Sequence, residues 1–417
     1  MLIEATVGNL FSFGDPQTLS MVADDDITDK AHYITEVELA TAPHKLKLLR
    51  WAALLGANAS GKSNFLKALS LLQLLVANSA NNNAGSPLAN NFLYYNGLSS
   101  DYLSFNTSTH KTKPSVISIV YAYQTHIYKF EVAFDAKQVH TEALYLLDDE
   151  SEQLIYNREM LSDSLFAKDD ILAVKAHSGV YSSQFACSRM FNNLNLKEYE
   201  QQHKHFLSLF YWLKQSFSSD KEIFSANPIE EAANVLIANQ KDKSHLLNYI
   251  QHDGLTITDY VVKESHSILR GEDIVILQEG LDPLPLTSQS EGTIKLLHLA
   301  HHALTLQPHS VLCVDELDTH LHPALFVHFV QDVCLKRNIQ LIFTCHSPYV
   351  LDEDGLDPRL DQIWRVEKDR STLMSQLGCF SEFRGLPTDA KGKLKKFDVK
   401  YAYLEGVFGG VPRIDED

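Results

Sequence analysis

The apolar positions of the chain change their period several times, and each change marks an element. Leu19–Met21 and Ile34–Leu39 are short apolar or alternating runs between polar turns, as in strands. Leu48–Leu55 reads as one apolar run ending at Gly56, the pattern of a buried central strand. From Ser63 the spacing turns helical. Phe65, Leu66, Ala68, Leu69, Leu71, Leu72, Leu75 and Val76 predict a helix buried nearly all round. It stops in NSANNNAGSP (Asn78–Pro87), which cannot continue a helix. Over 115–156 the period returns to two. Tyr128, Phe130, Val132 and Phe134 share one face and Lys129 and Glu131 the other; with Val116–Tyr123 this predicts an antiparallel hairpin. Residues 197–252 are helical in pattern, through Phe206, Leu207, Phe210, Tyr211 and Leu213, then Val235, Leu236, Leu246, Leu247 and Ile250. From 293 short apolar strands alternate with helices: Ile294–Leu304, Ser310–Val314, Pro323–Lys336 with proline in its first turn, and Ile339–Thr344. That alternation predicts an α/β fold with a mainly parallel sheet.

Composition narrows the class. A chain of 417 residues with 45% hydrophobic and 21% charged residues is an ordinary globular one, long enough for two or three domains. No run of 18 apolar residues occurs, so no membrane-spanning helix is expected. The opening MLIEATVGNLFSFGD, with Glu4 and no basic stretch, is unlike a secretory leader. Lys and Arg number 36 against 53 Asp and Glu, a net charge of −17, which repels polyanions on average. Nucleic acid would need a local basic patch or a partner that supplies one. The compact basic run KGKLKK (391–396) is a solvated loop or a contact for nucleic acid or an acidic partner. Five cysteines (Cys187, Cys313, Cys334, Cys345, Cys379) show no CxxC and read as reduced cytosolic thiols, so a cytoplasmic location is expected.

The chemistry concentrates in two places. Gly56-Ala57-Asn58-Ala59-Ser60-Gly61-Lys62-Ser63 fits GxxxxGK[ST] in full, between a predicted strand and a predicted helix. Glycines let successive N–H groups converge on phosphate oxygens, and the helix N-terminus adds a favourable dipole. Lys62 supplies a charge to the β- and γ-phosphates, and the Ser63 hydroxyl can ligate Mg²⁺. Asn58 and Ser60 line the same loop. The loop therefore predicts ATP and Mg²⁺ as cofactors. Far along the chain, VLCV delivers Asp315 and Glu316 at a strand tip. Asp315 suits the Mg²⁺ shell and Glu316 suits the general base that polarises water. His346, after the next apolar strand in FTCHSP, suits a donor to the γ-phosphate. Ser288-Gln289-Ser290-Glu291-Gly292-Thr293 opens a helix whose free N–H groups could grip a phosphate, although an N-cap and turn explain it equally well.

In that order, GANASGKS, SEGT, DELDTHLHP and TCHSP resemble the ABC-type ATPase heads of SMC and RecF proteins. The resemblance implies an ABC-type P-loop head with an antiparallel β subdomain and a helical insertion. SEGT then stands for the signature motif, Asp318 and its neighbours in Leu317–Pro323 for the D-loop, and His346 for the switch histidine. It implies a composite site in which Lys62, Ser63, Asp315, Glu316 and His346 of one copy close on Ser290 and Gly292 of another. ATP would join a homodimer or higher homo-oligomer. A narrower resemblance, through MLIEATVGNLFSFGDPQTLS, GANASGKS, the hairpin region, DQIWRVEKD (Asp361–Asp369) and KYAYLEGVFGGVP (Lys400–Pro412), is to the RloA/AbiLi-type ATPases of bacterial anti-phage defence. Such relatives typically work beside a separately encoded effector, often a nuclease or toprim-like protein, so nucleic acid would be reached through the partner. Phe11 stands where relatives carry a basic residue, and a Q-loop falls within Asn90–Tyr95.

These readings divide the chain into an N-terminal ATPase lobe (1–184), a helical insertion lobe (185–265) and a C-terminal ATPase lobe (266–417). Other readings weigh less. A repair ATPase that grips DNA directly is the main alternative. A fused nuclease would need a further acidic module, whereas the segment after His346 is taken up by the tail motifs. A transporter motor would carry a signature closer to LSGGQ. His298, His301 and His302 have a spacing that could hold a metal, but no carboxylate or thiol accompanies them on that face. His320 and His322 flank Leu321 beside the composite site, with a communicating or catalytic role open. Phe206, Phe210, Tyr211 and Trp212 read as helix packing.

Overall fold

The computed structural model describes residues 1–40, 45–78, 110–148, 151–158, 205, 207–219, 228–240, 243–252, 255–263, 273–383 and 398–411. Asn90–Tyr95, KGKLKK, Cys187 and Phe206 lie outside them. Along the chain the strands are β1 (Leu2–Gly8), β2 (Gln17–Ser20), β3 (Ile34–Val37), β4 (Leu46–Leu49), β5 (Trp51–Leu55), β6 (Ser115–Tyr123), β7 (His126–Phe134), β8 (Val139–Leu147), β9 (Glu152–Asn157), β10 (Phe217–Ser219), β11 (Ile257–Val262), β12 (Ile274–Gln278), β13 (Leu284–Pro285), β14 (Val311–Val314), β15 (Gln340–Thr344), β16 (Ile363–Lys368) and β17 (Ser375–Cys379). The helices are α1 (Lys62–Asn78), α2 (Ser208–Tyr211), α3 (Pro228–Ala238), α4 (Lys243–His252), α5 (Glu291–Thr305), α6 (Pro323–Gln331) and α7 (Val399–Leu404).

Two six-stranded sheets enclose α1. The first, in the order β10-β14-β15-β5-β16-β17, is parallel except at the β16–β17 edge. The second, β2-β1-β6-β7-β8-β9, is antiparallel throughout. Strands buried on both faces read as continuous apolar runs, which is why β5 is buried at all five positions. Its Ala52 and Leu54 face the cluster shared with α1 and the antiparallel sheet. Its Trp51, Ala53 and Leu55 face the opposite cluster, with Leu296 and Leu299 of α5, Phe326 and Phe329 of α6, and Tyr403 of α7. The helix expected to be buried all round is therefore the filling between two sheets. Together they form an α/β body in which α1 lies between a mainly parallel and an antiparallel sheet.

Three expectations change in detail. Leu48–Leu55 is two strands, because Arg50 breaks the run. Its side chain donates to Ile34 O at 3.1 Å, Cys334 O at 3.0 Å and Asn338 Oδ1 at 2.5 Å. Leu46–Leu49 consequently pairs with β3 as a separate hairpin. The segment read as wholly helical up to 252 includes β10, which pairs with Val311–Cys313 at the edge of the core sheet. Pro323–Lys336 is helical, with its last turn, Asp332–Lys336, widened to π-type bonding. Residues of α3, α4, β11 and β12 pack on Ile294, Leu297 and Ala300 of α5 as a separate apolar cluster.

Long-range polar ties fix how these parts meet. Arg359, 1% exposed, grips both Asp361 oxygens (3.0 and 2.7 Å) and donates to the carbonyls of Asp24, Ile27 and Asp29. Asp361 also accepts the Asp24 N–H at 2.9 Å. Removing one partner of a buried pair strands the other charge, so Arg359→Ala is expected to destabilise by about 3–5 kcal/mol in denaturant titration. Loss below 1 kcal/mol would show that the pair is dispensable.

Candidate nucleotide site

Because β14, β15 and β5 run parallel, their C-terminal ends emerge on one edge of the sheet. In register, Val314 lies beside Phe343, and Thr344 beside Leu54. The loop after β5, the acids after β14 and the histidine after β15 are thus neighbours, as ligand sites in open α/β sheets require.

The Gly56–Ser63 loop is built by close approach. A Cβ at Gly56 would meet Val366 O at 2.2 Å. Gly61 has φ 111°, and a Cβ there would meet Ser375 Oγ at 2.2 Å and Ser12 Oγ at 2.6 Å. Ala59 takes the left-handed region at φ 61°. Gly56→Ala is expected to cost about 1–3 kcal/mol by overpacking and to lose nucleotide binding in equilibrium dialysis; unaltered binding would rule out the close-approach account.

Lys62 is 4% exposed and donates to Gly56 O at 2.8 Å and Ala57 O at 3.1 Å. Burial pushes its ammonium below the ordinary lysine range, against the fields of Cys345, Asp315, Glu316 and Asp318. The carboxylates of Asp315, Glu316 and Asp318 oppose that shift. Ser60 Oγ is buried with no hydrogen-bond partner, and Asn58 is exposed at the loop's mouth. A buried hydroxyl left unsatisfied is costly, and a phosphate oxygen would relieve it. The Ser63 hydroxyl and Asp315 Oδ2 have no protein partner among the described residues, and hard oxygen donors of this kind suit Mg²⁺. The loop and its acids therefore fit a magnesium nucleotide.

Glu316 is held in a strained conformation, φ 47°. Both its peptide groups are pinned. Its N–H donates to Thr344 Oγ1 at 2.7 Å; its carbonyl accepts from Lys295 Nζ at 2.5 Å and from Thr319 Oγ1 at 2.7 Å. The Thr344 hydroxyl donates to Asp315 Oδ1 at 2.5 Å. One threonine thus orients both acids. Strain of this kind persists only where the surroundings over-determine it. His346 Nε2 lies 3.6 Å from Glu316 Oε1.

The Asp318 carboxylate accepts the His346 N–H at 3.0 Å and the Ser347 N–H at 2.7 Å, so it ties its loop to the histidine loop of the same chain. Ser290 caps α5, accepting the Thr293 N–H at 3.1 Å. Gly292 presses on His320, whose carbonyl would lie 2.6 Å from an added Cβ. His320 Nδ1 is 2.9 Å from Glu291 Oε2, and His322 caps α6. Among the described residues no hydrogen bond joins Ser290 or Gly292 to the Gly56–Ser63 loop. His298 is buried, His301 meets Asn239 at 3.0 Å and His302 meets Ser218 at 3.1 Å. Among the described residues no group of three or more His, Cys, Asp or Glu side chains is placed to hold a metal.

Sequence reading missed Thr344, Lys295, Ser12 and Ser375. The last two support the loop from behind: Ser375 Oγ lies 2.6 Å from Ser60 O and 2.8 Å from Ser12 Oγ, and Asn64 donates to Ser12 Oγ at 2.9 Å. The N-terminal turn therefore reaches the loop through Ser12. Thr344 belongs to the same TCHSP motif, two residues before His346.

Residues 52–352 match the family described as "AAA domain, putative AbiEii toxin, Type IV TA system". The chain belongs to this AAA-domain family. No curated protein matches it in sequence. Solved structures similar to it include the SMC head domain from Thermotoga maritima, at 14% identity and TM-score 0.39, covering 91% of this chain and 98% of that one. An SMC head bound to the C-terminal winged-helix domain of ScpA has 15% identity and TM-score 0.41, covering 90% and 97%. An SMC head with a coiled coil and joint, derived from Pyrococcus yayanosii, has 13% identity and TM-score 0.39, covering 90% and 99%. Within the described residues of this AAA-domain protein no helix is long and apolar enough to cross a membrane.

Proposed function

We propose that the chain binds and hydrolyses ATP as one subunit of a homo-oligomer and that its ATP state controls a separately encoded effector in anti-phage defence. The observation that carries the hydrolytic part is Glu316, fixed by Thr344 and Lys295 within 3.6 Å of His346. Lys62 and the loop N–H groups grip the phosphates. Ser63 and Asp315 hold Mg²⁺, which when bound neutralises charge developing on the phosphates. Glu316 takes the proton of the attacking water, and His346 donates to the γ-phosphate oxygen. Ser290 and Gly292 of a second copy close the site, since among the described residues neither is hydrogen-bonded to the phosphate loop of its own chain.

The family description, which speaks of a putative toxin and a Type IV toxin–antitoxin system, supports the defence reading, as do the RloA/AbiLi-like motifs. The net charge of −17 favours an effector that handles nucleic acid over direct gripping of DNA. The helical lobe at 185–265 is the segment that would dock such a partner. The test is ATP turnover and light scattering of the pure protein, then of a mixture with the product of the neighbouring reading frame. ATP-dependent assembly and ATP-dependent effector activity are expected. Turnover stimulated by duplex DNA alone, with a steep salt dependence, would favour a repair ATPase instead.

A further inference from the structure

Two motifs have no part in the chemistry above: DQIWRVEKD and the tail LEGVFGGVP. They come together in space. Gly409 and Gly410 both have positive φ, 73° and 76°. A Cβ on Gly410 would lie 3.7 Å from Gly56 Cα, 3.5 Å from Arg365 Cβ and 3.8 Å from Val366 O. A Cβ on Gly409 would meet Glu367 Oε2 at 2.8 Å and Arg365 Nη1 at 3.4 Å. Arg365 itself pairs with Glu367 at 2.6 Å and sits 5.2 Å over the Phe383 ring. The glycine turn of the tail therefore lies against the first residue of the phosphate loop.

The same short segment reaches the histidine loop. Lys400 on α7 pairs with Asp352 at 2.5 Å. Asp352 caps the turn Pro348–Leu351 that directly follows His346 and Ser347. Tyr403 and Phe408 share one apolar cluster with Cys345, Val350 and Leu351, and Phe408 stacks on Phe380 at 4.0 Å. The tail thus touches both strand ends, the one that leads to Lys62 and the one that leads to His346.

We infer that the tail, Asp398–Val411, is a positioning element for hydrolysis, with Gly410 setting the phosphate loop and the Lys400–Asp352 pair setting the His346 loop. This rests on the ATPase reading. Small errors in placement are costly in a hydrolytic site, because the histidine and the base must converge on one phosphate and one water. Lys400 and Asp352 lie outside the Gly56–Ser63 loop and the Asp315–Glu316 pair and bond to each other, so each acts through the segment it holds.

The pair is partly exposed, 36% and 26%. Pairs of that kind contribute little to stability, which separates function from folding. In the full chain Lys400→Met is expected to lower kcat about tenfold, leaving KM for ATP within about twofold and the unfolding temperature within about 2 °C. The exchanged pair, Asp352→Lys with Lys400→Asp, is expected to recover most of the rate. In the nucleotide-free protein, amide exchange over 345–351 is expected to quicken about tenfold in Lys400→Met. Gly410→Ala, strained by its φ, is expected to raise KM about fivefold with kcat retained. Unchanged kcat and unchanged exchange in Lys400→Met would overturn the inference while leaving the ATPase reading standing. So would a lost rate that follows a fallen unfolding temperature and is not restored by the exchanged pair. Absence of ATP turnover by the unaltered chain would overturn the ATPase reading, and the inference with it.

Discussion

Glu316→Gln is expected to turn over ATP about 10²–10⁴-fold more slowly than the unaltered chain, the usual contribution of a positioned general base. ATP binding persists, because Lys62, Ser63 and Asp315 are untouched. The amide keeps the shape of the carboxylate and leaves the backbone bonds to Thr344, Lys295 and Thr319 in place, so folding is unaffected. The nucleotide-bound assembly is then expected to accumulate, as a larger species in light scattering with ATP but not with ADP. Turnover equal to that of the unaltered chain would assign the base elsewhere, and His346 would be the next candidate.

Lys62→Ala acts one step earlier. A bond from an ammonium to a charged phosphate oxygen contributes roughly 1.5–3 kcal/mol. Losing two of them is expected to weaken ATP binding by about 10²–10⁴-fold. Titration calorimetry reads this directly; affinity within threefold of the unaltered chain would exclude the loop as the phosphate site. The lysine also gives the pH dependence a sign. Burial lowers its pKa in the free protein, and a bound polyanion raises it again. ATP therefore selects the protonated form. Affinity falls as pH rises through the lowered free-state value, at less alkaline pH than for an exposed lysine.

The phosphate loop and the two acids were legible because backbone chemistry dictates their sequence. A loop that presents N–H groups needs glycine where Val366 and Ser375 approach within 3 Å, and a strand buried on both faces must be apolar up to the residue that meets solvent. The alternation after 293 was legible for the same reason. Arg50 was not: its position in an apolar run looks like an error until Cys334 and Asn338 supply acceptors from far along the chain. Three-residue β10 carries no period to read. It is a strand because Val311–Cys313 offers it an edge. Lys295 sits mid-helix with the look of a solvent residue, yet it is 5% exposed, because its helix lies across the loop that Glu316 begins. Each of these depends on a partner distant in sequence, and local propensity cannot carry that information.

The order of strands in the core sheet has a consequence for biosynthesis. β5 is made early, but its neighbours β15 and β16 come from the last third of the chain. Gln340 at the start of β15 bonds to Leu49 across 291 residues and to Leu2 across 338. At about 5–20 residues per second, β5 waits tens of seconds on the ribosome with both edges unpaired. The apolar segment Trp51–Leu55 and the all-round greasy face of α1 are exposed meanwhile. Topologies so rich in distant pairings fold slowly and expose sticky surface on the way. Nascent chains stalled before residue 340 should therefore be held by chaperones, and full-length protein made in their absence should collect in aggregates.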